Sequence, residues 1–122
     1  MWQSRAMVLA VLGLAIVTTA ALAEDRRSAN TMLGACRFEA QQPAPVQDQE
    51  WTLAFQCRDS IAILIKNGPK QPAFMSACVP ENTSSHVVAR AIVDFLEKGP
   101  ERLGERFDIR GTVALHQAWP CH

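Results

Sequence analysis

Residues 83–100 read Thr83-Ser84-Ser85-His86-Val87-Val88-Ala89-Arg90-Ala91-Ile92-Val93-Asp94-Phe95-Leu96-Glu97-Lys98-Gly99-Pro100. Val88, Ala91, Ile92, Phe95 and Leu96 fall at i, i+3, i+4, i+7 and i+8, the spacing of one buried helix face. The hydroxyls before them can accept from the unpaired N–H groups of a first helical turn, which places the N-cap at Thr83 or Ser84. Gly99 suits a helix end. Pro100 lacks the N–H that a first turn does not use, so a second helix is expected to begin there and run from Glu101 to Trp119. Two helices joined so tightly are antiparallel neighbours.

This hairpin predicts a covalent bond. A helix from Ser84 to Lys98 is roughly 22 Å long at 1.5 Å per residue, and the return helix is slightly longer. Its end comes back beside the start of the first, which brings Cys78 and Cys121 to the same end of the hairpin. A disulfide closes it if their Cα atoms come within about 7 Å. With Cys78 paired to Cys121, Cys36 and Cys57 remain for each other, one of three connectivities that four cysteines allow.

The amino terminus decides whether such bonds are expected. Met1–Arg5 is a short basic lead, Ala6–Val17 is uninterruptedly apolar, and Ala21-Leu22-Ala23 has the small-x-small pattern of a signal-peptidase site. Residues 1–23 are therefore expected to be a signal peptide cleaved before Glu24, because the apolar run is shorter than the roughly 20 residues of a membrane span. Residues 24–122 then form a single exported domain. An even number of cysteines in a short exported chain points to disulfides, and their spacing does not match zinc sites.

Cleavage removes Arg5, so eleven basic residues face twelve acidic ones, a net charge of about −1. Nucleic acid is not an expected ligand at that charge, and no later stretch is apolar enough to span a bilayer. Two further helices are expected. One covers Ser28 to Ala40, with Ser28 or Asn30 as cap. The other starts at Asp48 or Gln49, with Trp51, Ala54, Phe55, Arg58, Ile61, Ala62 and Ile65 on a broad face, and Asn67-Gly68-Pro69 ends it. Ile61, Ile63 and Ile65 also alternate, which leaves a strand as the alternative there. The fold class is thus all-α, a small disulfide-stapled bundle of about four helices. Its expected core is Met32, Leu33, Trp51, Phe55, Ile61, Leu64, Ile65, Val88, Ile92, Phe95, Leu96, Leu103, Phe107, Leu115 and Trp119. Gly111, inside the last helix, marks a close helix crossing.

Catalytic patterns are missing. The chain has no G-x-S-x-G elbow, H-E-x-x-H, glycine-rich phosphate loop or C-x-x-C pair. Asp59 and Asp94 read as solvated, as do the mixed charges Glu101, Arg102, Glu105, Arg106, Asp108 and Arg110. His86 and His116 read as exposed or core-edge residues. No catalytic residue, metal ligand or cofactor is expected, and the chain reads as a binding protein.

The order Ser28-Ala29-Asn30, Cys36, Cys57, Cys78-Val79-Pro80-Glu81, Phe95-Leu96-Glu97, Gly99-Pro100-Glu101 and Trp119-Pro120-Cys121 resembles the Rap/Tai immunity proteins, and does so over nearly the whole mature chain. After Cys57 the sequence Arg58-Asp59-Ser60-Ile61-Ala62-Ile63 departs from that family's C-x-G-Y-[IV]-x-G pattern and lacks its glycines and tyrosine. The resemblance implies a helical, disulfide-containing, commonly dimeric periplasmic protein that blocks a peptidoglycan-cleaving amidase effector of type VI secretion. Steric occlusion of a toxin cleft needs no catalytic group. It needs an exposed anchor within a polar rim, for which the loops Gln41–Gln49 and Asn67–Ala77 are the candidates. The alternative is a periplasmic chaperone or envelope-stress protein, for which the presence of three histidines, the residue type that serves as a pH switch, gives slight support.

Overall fold

The computed structural model describes residues 28–41, 44 and 47–122; the expected signal peptide and its cleavage site lie outside them. Four α-helices pack around one core: α1 (Ala29–Glu39), α2 (Asp48–Asn67), α3 (Ser85–Glu97) and α4 (Phe107–Ala118). The described residues form no strands, only two isolated bridges. The alternation of Ile61, Ile63 and Ile65 is therefore carried on a helix, with Ile61 buried and Ile63 exposed. The class is a small all-α, disulfide-stapled bundle.

Local chemistry sets the helix starts. The N–H of Thr31 donates to the Ser28 hydroxyl oxygen at 3.2 Å, and the N–H of Val87 donates to that of Ser84 at 3.3 Å. Each satisfies one donor of a first turn. Both expected disulfides form, Cys36–Cys57 and Cys78–Cys121, each with Cα atoms 5.0 Å apart. The first joins α1 to α2, and the second closes the α3–α4 hairpin.

The return helix begins later than expected, at Phe107 rather than Glu101. Pro100–Arg102 form a 3-10 turn, and the following residues are used elsewhere. The N–H groups of Ala29 and Asn30 donate to the carbonyls of Glu105 and Leu103, each at 2.8 Å. The first turn of α1 thus takes its partners from Leu103–Glu105, and those residues stay out of a helix to supply them.

Trp51 and Phe55 are not in the core. They are 55% and 42% exposed and stack on each other with centroids 5.6 Å apart. The disulfide explains the difference, because Cys57 must face Cys36 and so fixes the rotation of α2. At 3.6 residues per turn Trp51 lies about 120° and Phe55 about 160° round the helix from Cys57. Ala54, Cys57, Ile61 and Leu64 point inward instead. The remaining expected core residues are buried or packed against the core. Gly111 does mark a close approach, since a Cβ there would lie 2.6 Å from Leu64 Cδ1 of α2.

Arg110 also departs from expectation. Read as part of a solvated face, it is buried, with its guanidinium carbon 4.6 Å from the Phe95 ring centroid and its Nε 3.6 Å from Glu105. That separation is within ion-pair range but too long for a hydrogen bond, so Nε has no hydrogen-bond partner among the described residues. The Arg110 guanidinium lies over the Phe95 ring, a cation–π contact between α4 and α3. Asp59, Asp94, Glu101, Arg102, Glu105, Arg106 and Asp108 are exposed.

Candidate binding loop and interhelical cleft

Of the two candidate anchor loops, Gln41–Gln49 is described only at residues 41, 44 and 47–49. Asn67–Ala77 is fully described, and it places Phe74 at its tip, 74% exposed. No other described large apolar side chain is as exposed. The loop is tied at its base. The N–H of Ala77 donates to the Gly68 carbonyl at 3.1 Å, and the two backbones are so close that a Cβ on Gly68 would lie 2.6 Å from the Ala77 oxygen. Gly68 sits at φ −53°, so glycine is needed there for space rather than for torsion. A compact loop with joined ends is a common form for a functional surface segment.

Its interior is also hydrogen-bonded. The N–H of Met75 donates to the Pro72 carbonyl at 2.8 Å, and the Ser76 hydroxyl donates to the Ala73 carbonyl at 3.3 Å. From α4, His116 Nδ1 donates to the Ser76 carbonyl at 2.7 Å. Since a carbonyl only accepts, this bond fixes the Nδ1–H tautomer. Just past the loop, the N–H of Cys78 donates to the Trp119 carbonyl at 2.8 Å, and the Cys78–Cys121 disulfide lies beside it. The loop is thereby mounted on the closed end of the α3–α4 hairpin. A loop tied at this many points has less conformational freedom to lose than an untethered one.

A second feature lies where three helices meet. Glu39, at the end of α1, is buried. Its carboxylate accepts from Arg58 Nε at 3.1 Å and Nη2 at 3.2 Å, and from the Ser85 hydroxyl. The adjacent cleft, of about 250 Å³, is lined by Phe38, Trp51, Arg58, Ser84 and His86 among others. Its volume is just under the roughly 300–1,000 Å³ typical of small-molecule sites. His86 Nδ1 is 3.3 Å from the Glu39 carbonyl, and Arg90 Nη2 donates to the Ala40 carbonyl at 2.8 Å. Ser85 and His86 are not arranged as a nucleophile and its base: the serine donates to a carboxylate and the imidazole is engaged with a backbone carbonyl. Among the described residues, no three His, Cys, Asp or Glu side chains are grouped as a metal site.

Together these features make a disulfide-stapled helical scaffold with an exposed aromatic on a tied loop and a cleft of mixed polar and apolar lining. Comparison with protein-family models, with curated proteins and with solved structures finds no match to the chain. Two disulfides fit an oxidising compartment, and no helix among the described residues is long and apolar enough to cross a membrane.

Proposed function

We propose that this chain is a periplasmic immunity-type binding protein, similar to the Rap/Tai proteins, which neutralises a peptidoglycan-cleaving amidase effector of type VI secretion by occluding its cleft. The observation that carries this reading is Phe74, held out to solvent on a loop whose base is fixed by Gly68–Ala77, His116–Ser76 and the Cys78–Cys121 bridge. Exposed aromatic anchors on rigid supports supply a large share of binding energy at protein interfaces, and partners pack pockets around them. An inhibitor of this kind needs shape and an anchor, and no catalytic group.

The test is inhibition of peptidoglycan amidases by the oxidised protein, with complex formation followed by size-exclusion chromatography. A one-to-one complex that abolishes cleavage is expected. Phe74→Ala weakens that complex by tenfold or more, on the order of 2 kcal/mol, and leaves the melting temperature unchanged because the ring touches solvent. Failure to bind any amidase of a broad panel removes this reading. Weak association with many unfolded clients at acidic pH would then assign the chain to the envelope chaperones instead.

A further inference from the structure

The cleft at Glu39 has features beyond those needed to hold helices together. The Glu39 carboxylate and the Arg58 guanidinium are already paired, so an entering cation or anion meets no unmatched charge. A purely apolar ligand would cover polar groups without satisfying them. What remains is a neutral ligand rich in hydrogen-bonding groups, and both kinds of partner are present. Arg58 uses two of its five donors on Glu39 and is half exposed. The Ser84 oxygen accepts from Val87, and its hydroxyl hydrogen is left to donate. With Nδ1 donating to the Glu39 carbonyl, His86 keeps Nε2 as an acceptor.

Trp51 narrows the class. It lines the same cleft, remains more than half exposed, and is propped by Phe55 at an interplanar angle of 21°. An indole face carries partial negative charge, and its natural partner is a flat surface of slightly positive C–H groups. A pyranose ring whose hydroxyls are all equatorial has such a face, with alternating donors and acceptors around its edge. We propose that this cleft binds a neutral, gluco-configured saccharide, one ring stacking on Trp51 and its hydroxyls meeting Arg58, Ser84 and His86. The cleft volume suits one ring, with linked residues extending into solvent. This inference does not rest on the amidase reading, which concerns the Phe74 loop.

The probes are cellotriose and N,N′,N″-triacetylchitotriose, titrated into the oxidised protein and followed by NMR at the Trp51 indole N–H and the amides of Ser84–His86. Saturable shifts with Kd on the order of millimolar are expected. Trp51→Ala should weaken binding about three- to tenfold, Trp51→Phe should restore part of it, and His86→Ala should weaken it independently. Trp51 is exposed, so its loss does not threaten the fold. No saturable shift with either trisaccharide at tens of millimolar would overturn the proposal. So would shifts that persist unchanged in Trp51→Ala.

Discussion

Replacing Cys78 and Cys121 together by serine tests how much of the stability of the bundle depends on its closed end. The bond spans a sequence separation of 43. Loop-closure entropy for such a span is about 13 cal/mol/K, or about 4 kcal/mol at 25 °C. Cys78 is exposed and Cys121 half-exposed, so two serine hydroxyls add little desolvation cost in the folded state. Against a total of about 5–15 kcal/mol for a domain of this size, losing 4 kcal/mol lowers the melting temperature by about 16–32 °C. Guanidinium unfolding, read by circular dichroism and tryptophan fluorescence, measures the loss directly. The m-value should rise as the unfolded chain expands and exposes more surface. The Cys36→Ala/Cys57→Ala pair supplies an internal comparison. Its span of 21 gives about 3.3 kcal/mol, but both cysteines are fully buried, so lost packing should bring its cost to at least that of the longer loop. A loss below about 1 kcal/mol for the serine pair, with m unchanged, would refute the view that this bridge acts mainly on the unfolded chain.

Two further substitutions probe single contacts. Gly68→Ala puts a Cβ 2.6 Å from the Ala77 carbonyl oxygen, and the clash, partly offset by a less flexible unfolded chain, should cost about 1–2 kcal/mol; thermal melts measure the cost, and faster hydrogen exchange at the Ala77 amide shows that the loop base has opened. Arg110→Met keeps apolar bulk beside Phe95 but loses the guanidinium that lies over its ring, while it also removes a buried Nε that has no hydrogen-bond partner among the described residues. The two effects offset, so urea melts should find it within about 1 kcal/mol of the parent, whereas Arg110→Ala loses the packing as well and is clearly destabilised.

The features legible in the sequence were those fixed by near neighbours along the chain. The α3 face, its Ser84 cap and the Gly99-Pro100 break are written within 17 residues, and the hairpin they define is enough to pair Cys78 with Cys121. The misreadings came from distant partners. Trp51 and Phe55 sit on an apolar-looking face, and only the bond from Cys57 to Cys36 shows that this face is turned outward. The residues 103–105 read as helix because nothing nearby reveals that α1 needs their carbonyls. Arg110 carries no local mark of burial. Small residues escaped notice as well: Ala29, Ala35, Ala54, Ala89 and Ala114 are almost fully buried, yet periodicity is judged by large side chains. At the candidate sites, Phe74 had a usable signal, an aromatic residue between the Gly68-Pro69 break and Cys78. The Glu39–Arg58 pair, 19 positions apart on different helices, had none.

The order of the two bridges bears on how the chain acquires its bonds. Cys36 joins Cys57 and Cys78 joins Cys121, so each cysteine pairs with the next one along, and the two covalent rings lie in series without interlocking. A chain threading N-terminus first into an oxidising space would present its thiols in that same sequence. An oxidant that links each thiol to the one arriving after it would generate the native pattern directly, with no need for a shuffling enzyme to correct it.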